Sequence, residues 1–199
     1  MTEVELSRRE RKKDETRRRI FKAAVKLFRE KGFEETTVDD ITEKADVGKG
    51  TFFNYFPRKE AVLGYLSEVW LAEAEASAEA ILAAPTPARD KLTELICGFA
   101  AEYEEDRELS SYVIVESLNR AFKPNEDMHR RWHELFDRVI EKGQATGEIR
   151  RDLDPDRAQL VLQGVNMSTL FYWLKCNGEF NLQDELRARL ALVFDGLAA

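Results

Sequence analysis

Apolar residues return at three- and four-residue steps along almost the whole chain, and no stretch alternates convincingly as a half-buried strand would. A chain written this way buries its apolar stripes by packing helix on helix, so the expected class is all-α. The first stripe, Ile20, Phe21, Ala24, Val25, Leu27 and Phe28, is stopped by Gly32, which suits a positive-φ C-cap. Thr36-Thr37-Val38-Asp39-Asp40 then carries two overlapping hydroxyl-x-x-acid signals that open a short helix through Ile41 and Ala45. Asp46-Val47-Gly48-Lys49-Gly50 reads as a tight turn, and Thr51–Phe56 sets four aromatic residues ahead of Pro57. That composition suits a strand, yet the chain offers no second strand to pair with it.

The remainder reads as helices only: residues 60–84, closed by Pro85 and Pro87; 89–105; one holding Tyr112, Val113 and Leu118; 126–145; one from Asp154 or Pro155 to Asn177-Gly178; and 182–197. The pattern gives nine helices.

Several functions are excluded by what these 199 residues lack. No run approaches the roughly 20 apolar residues of a membrane span, since Val165–Leu174 is short and broken by Asn166, Ser168 and Thr169. The charged start Met1–Arg19 does not resemble a secretory signal, so a cytoplasmic location is expected. Cys97 and Cys176 lack metal-ligand spacing and read as small core residues. His129 and His133 are four apart, but the segment lacks the glutamate of HExxH, and Arg130 and Arg131 oppose a cation. With no P-loop, dinucleotide fingerprint or paired nucleophile, we expect no metal, no cofactor and no catalysis.

Charge is divided unevenly. The first 60 residues carry 16 Lys/Arg against 13 Asp/Glu, whereas the other 139 carry 15 against 25, within a net charge of −7. An acidic chain with a basic first third joins a polyanion-binding module to a part that avoids polyanions. The densest run is Arg8, Arg9, Arg11, Lys12, Lys13, Arg17, Arg18 and Arg19. Two short helices around a tight turn, the second opening on small residues, suit a helix-turn-helix, because bulk at that tip would hold the backbone away from base edges.

At this point the motifs carry a resemblance. Ile20-x-x-Ala23-Ala24-x-x-Leu27-Phe28-x-x-x-Gly32-Phe33, Thr36-Thr37-Val38-x-x-Ile41 and Ala45-x-Val47-x-x-Gly50-Thr51-Phe52-Phe53-Asn54-Tyr55-Phe56-x-x-Lys59-Glu60 resemble the DNA-binding domain of the TetR/AcrR family of bacterial transcription regulators. The resemblance implies a basic arm over 1–13, a helix-turn-helix domain over 14–74 that includes the start of a long linking helix, and an effector-binding and dimerisation domain over 75–199. It implies double-stranded DNA as partner, a repressor released from a near-palindromic operator by a small-molecule effector, and a homodimer formed through the last two helices. Thr37 would cap the first motif helix and touch a phosphate; Lys49, Gly50, Thr51 and Asn54 would face the groove, with Lys49 and Asn54 reading bases; Tyr55 and Lys59 would hold phosphates. Phe53 stands where the family often has Tyr and lacks a hydroxyl, which leaves it an apolar contact such as a thymine methyl.

For the effector pocket the candidates are Trp70, Phe99, Tyr103, Tyr112, Trp132 and Phe136, with Glu116 and Asn166 as polar partners; aromatics at helical spacing are also ordinary core residues. The alternative function is a helical interaction protein whose degenerate helix-turn-helix no longer binds DNA. Lys49, Thr51, Tyr55 and Lys59 speak against it, and Phe53 leaves it open.

Overall fold

The computed structural model describes residues 7–98, 100–121 and 127–196. Among them the elements are α1 (Arg8–Lys31), α2 (Val38–Lys44), α3 (Lys49–Tyr55), α4 (Ala61–Ala83), α5 (Ala88–Cys97), α6 (Ala100–Glu105), α7 (Arg107–Ala121), α8 (Asp127–Thr146), α9 (Pro155–Lys175) and α10 (Leu182–Asp195). The helix expected over 89–105 is divided at Gly98 into α5 and α6; counted as one, the two give the nine helices of the sequence pattern. None of the described helices is long and apolar enough to cross a membrane.

Helix boundaries follow local chemistry. Ser7 and Glu10 form a capping box at the start of α1, so from Arg8 onward the expected basic arm is helix. The helix stops at Gly32, whose φ of 88° and ψ of 155° belong to a region open essentially to glycine alone. Asp154 caps α9 with Pro155 in its first turn, and Asn177 and Gly178 end it with φ of 53° and 72°.

Two apolar cores lie along α4. The first gathers Ile20, Ala24 and Phe28 of α1, Ile41 of α2, Phe52, Phe56, and Val62, Leu63, Leu66 and Trp70 from the first half of α4. The second holds Ala78 of α4 with residues of α5, α8, α9 and α10. Ion pairs Arg131–Glu75 and Arg138–Glu79 tie α8 to the second half of α4. At 23 residues, or about 34 Å, α4 runs through both cores, and α7 also enters both, through Leu109 and Val113 in the first and Ile114 in the second.

The expected boundary at residue 74 is crossed by α7. Its Leu109 and Val113 complete the first core, so that core is closed from beneath by a helix more than thirty residues beyond the boundary.

Candidate nucleic-acid interface

Of the two overlapping caps in the sequence, the fold selects Thr37 with Asp40. Thr37 donates its backbone N–H and its hydroxyl to Asp40 Oδ2, at 2.7 and 2.6 Å, and accepts the Asp40 N–H at 3.2 Å. Lys31 beside the carboxylate, together with these Thr37 bonds, holds Asp40 far below the usual carboxylate range. Thr36 turns inward and donates to Gly32 O at 2.7 Å. The Thr37 hydroxyl and amide expected at a phosphate are therefore both committed within the cap.

From α2 the chain turns through Asp46, whose φ of 50° an Asp tolerates better than most residues, and enters α3 at Gly48. Phe52 and Phe56, four residues apart, are fully buried and pin α3 by one side. The opposite side carries Lys49, Gly50, Phe53 and Asn54, all exposed, with Gly48 just ahead of them. A Cβ added at Gly48 or Gly50 would meet nothing within 4 Å, so the tip of α3 borders open space. Phe53 is 50% exposed, edge-on to Phe52, and leaves a large apolar ring in solvent on this face. Thr51 and Tyr55 are half-buried at the flanks, Tyr55 packing against the first core.

Lys49 lies 2.7 Å from Asp39 of α2, both well exposed. Such a pair contributes little, about 0–1 kcal/mol, and gives way easily to a stronger acceptor. Lys59 is held in another manner. Its ammonium donates to the carbonyls of Phe33, Thr36 and Glu34 at 2.7, 3.0 and 3.3 Å and sits 4.2 Å from the centre of the Phe33 ring. Instead of the phosphate contact expected of it, Lys59 clamps the start of α4 onto the loop after α1, because three carbonyls converge where its side chain ends.

Beside it, Arg58 donates to the buried carboxylate of Glu116 on α7 at 2.7 Å, and Ser67 of α4 is 2.9 Å from Ser117. Tyr112, one turn earlier on α7, packs on Phe33 with ring centres 4.7 Å apart. Tyr112 and Glu116, expected at an effector pocket, here contact the reading head, since α7 turns that face toward the first core. Sequence reasoning missed this seam: nothing local links residues 58 and 116.

The other pocket candidates do not gather in one place. Trp70 is buried edge-on against Tyr103, whose hydroxyl burial pushes up to about 12. Phe136 is buried in the second core, and Asn166 is half-buried on α9. Phe99 and the Trp132 side chain lie outside the described residues. Trp70 borders a small cleft of about 130 Å³ with Glu73, Leu95 and Glu102. A larger hollow of about 380 Å³ is walled by Leu92, Ile140, Ile149, Leu153, Val161, Leu162 and Phe194, none of them singled out from the sequence.

Two further features escaped the sequence reading. Between α8 and α9, Gln159 donates to Asp137 and to the His133 carbonyl, Gln163 meets the His133 ring, and Gln159 Oε1 is buried without a hydrogen-bond partner. On the outside, Leu160, Val161, Phe171 and Tyr172 of α9 and Leu192 and Val193 of α10 stand exposed. Residues 160 and 171 are eleven apart, three helical turns, and so lie on one stripe.

With this geometry in place, the chain was compared with known proteins. Residues 20–66 match the model of the bacterial regulatory proteins of the tetR family, and residues 85–197 match a tetracyclin repressor-like C-terminal domain. The HTH-type transcriptional repressor DhaR of Mycobacterium sp. (strain GP1) is 32% identical over 155 residues, covering 70% of this chain and 73% of its own. The HTH-type transcriptional repressor KstR2 of Rhodococcus jostii (strain RHA1) is 25% identical over 190 residues, covering 92% and 91%. Among solved structures, Thermus thermophilus FadR, a TetR family transcriptional repressor in complex with lauroyl-CoA, superposes with a TM-score of 0.72 at 28% identity, covering 92% of this chain and 95% of its own.

Proposed function

The chain belongs to the tetR family of bacterial regulatory proteins and is a DNA-binding transcriptional regulator, and from that premise we propose that it is a dimeric repressor which a small amphipathic effector releases from a near-palindromic operator. The observation that carries this is the outer face of α3: a glycine-bared tip with Lys49, Phe53 and Asn54 on one exposed stripe, braced from behind by buried Phe52 and Phe56. Such a rod fits the major groove, where Lys suits guanine acceptors and Asn suits adenine. The phosphates are left to Tyr55 and neighbouring cations, since Thr37 and Lys59 are already engaged.

One α3 reads few base pairs, so useful specificity needs two. The exposed stripe of α9 and α10 supplies an apolar face for a second copy, and Gly164 on the same face lets two helices approach closely. The proposed place of action is the cytoplasm.

Release requires an effector that binds the body more tightly in its DNA-free arrangement, and a stiff element to carry the difference. The rod α4 enters both cores, and the Arg58–Glu116 pair adds a second route through α7. The bound ligand of the Thermus FadR structure favours an acyl-CoA as effector class, and the hollow near Val161 suits an apolar chain.

The test is selection of duplexes from random DNA by the purified protein, followed by sedimentation of the complex and addition of lauroyl-CoA and shorter acyl-CoAs. The expected result is a two-fold-symmetric consensus, two chains per duplex, and release by at least one acyl chain length. No preference among duplexes at low salt contradicts the DNA reading; failure of every acyl-CoA contradicts the effector class alone.

A further inference from the structure

We propose that the first three turns of α1 form a second DNA-contacting surface, one that grips phosphates of the duplex flanking each half-site without reading its sequence. This rests on the DNA-binding reading above and extends it to a part of the chain outside the helix-turn-helix. Ile20 is the first buried residue of α1; Arg8–Lys13 are exposed, and Arg17 packs at the edge of the first core. Among the described residues no carboxylate lies within ion-pair distance of Arg8, Arg9, Arg11, Lys12, Lys13 or Arg19, whereas Arg17 and Arg18 reach Glu68 and Asp14. Three acids stand inside this run against eight cations: Glu10, engaged by Ser7, Asp14, paired with Arg18, and Glu15. In the body, by contrast, Arg89, Arg138 and Arg187 each hold a carboxylate of another element.

Like charges one turn apart, Arg8 with Lys12 and Arg9 with Lys13, oppose helix formation, yet the helix is kept and capped at Ser7. A clustered net positive charge of this kind, eight cations against three acids, attracts an anion from outside the chain. Its position favours the duplex that α3 reads. The Arg17 guanidinium lies 4.1 Å from the centre of the Tyr65 ring and 5.7 Å from that of Phe56, the C-cap residue of α3. The overhang therefore leaves the head beside the end of the reading helix, next to Tyr55, where the duplex continues past the half-site. Twelve helical residues reach about 18 Å, roughly five base-pair steps.

The experiment compares the full chain with a variant in which Arg8, Arg9, Arg11, Lys12 and Lys13 are all changed to Gln. Binding is measured across a salt series to the selected operator, once with ten-base-pair flanks and once trimmed to its half-sites; circular dichroism and melting confirm the fold. On the flanked duplex the plot of log affinity against log salt should become shallower by about 2–4, at about 0.9 per lost phosphate contact. Affinity near 0.15 M salt should fall at least tenfold while the preferred sequence stays the same. On the trimmed duplex the two proteins should differ little. Equal slopes on the flanked duplex overturn the inference and leave the operator reading intact, as does an altered sequence preference, which makes these cations base readers. Loss of binding to phosphatidylglycerol vesicles with no change on DNA assigns the surface to membranes and also overturns it. If the unaltered protein prefers no duplex, the DNA reading fails and this surface fails with it.

Discussion

In the reading head the aromatic rings Phe28, Phe33, Phe52, Phe56 and Tyr65 pack beneath short helices, with neighbouring centres 4.9–5.9 Å apart, and the outer face of α3 carries Lys49, bare glycine, Asn54 and the single exposed ring of Phe53. In the body behind it the core is mostly aliphatic, the stripe of α9 and α10 is left apolar in solvent, and a hollow of about 380 Å³ opens beside it. The head, its core closed by Leu109 and Val113 of α7, leaves little apolar surface exposed beyond Phe53. The body exposes apolar surface that a folded monomer gains nothing by exposing, so it calls for partners. The two meet at α4 and at the α7 seam, where Arg58, Lys59 and Glu116 converge.

Substitutions can sharpen or break that contrast. The largest effect is expected of Phe52→Ala, which should cost about 3–5 kcal/mol in denaturant unfolding and abolish operator binding, because Phe52 and Phe56 are the fully buried side chains that pin α3. Arg58→Ala comes next, at about 2–4 kcal/mol, since it strands the buried Glu116 carboxylate; Glu116→Gln, which leaves a half-exposed Arg58 that water can satisfy, should cost under about 1 kcal/mol. Equal losses from the two would remove α7 as a supporting element of the head. Lys59→Met should cost about 2 kcal/mol through its three carbonyls, with no change in the salt dependence of DNA binding. A shallower salt slope would instead return Lys59 to the phosphates.

In the body, Gln159→Leu strands Asp137 and the His133 carbonyl, to both of which Gln159 donates, and should cost about 1–3 kcal/mol in denaturant unfolding. The smallest effect on folding belongs to Lys49→Ala, within about 0.5 kcal/mol, because its ion pair is exposed. Its effect on base preference should be plain in a repeated duplex selection, with discrimination at one position per half-site relaxed by about 1–3 kcal/mol.

The same contrast explains what could be read from the sequence. Thr37-x-x-Asp40, the Asp46 turn and the Phe52/Phe56 pair act over three or four residues, so local spacing carries them, and the helix boundaries followed. For Tyr112 and Glu116 the sequence is ambiguous, because an aromatic stripe with a carboxylate looks the same whether it faces a ligand or another helix. Only the packing of α7 against Phe33 and Arg58, across 58 to 79 residues of chain, decides between them. The Lys59 clamp was hidden for a related reason: its acceptors are backbone carbonyls, which every residue has. The hollow near Val161 has walls from five segments, and no one segment of sequence marks it.

The claim that matters most is that the bare tip of α3 enters the groove, and Gly50→Leu tests it directly. A Cβ there would meet nothing within 4 Å, and leaving glycine favours a helix, so melting should hold or rise. With the tip held off the bases, affinity for the selected operator should fall more than about 100-fold, several good base contacts being worth 1–3 kcal/mol each. A stable Gly50→Leu protein that binds the operator as tightly as the unaltered chain would contradict the account.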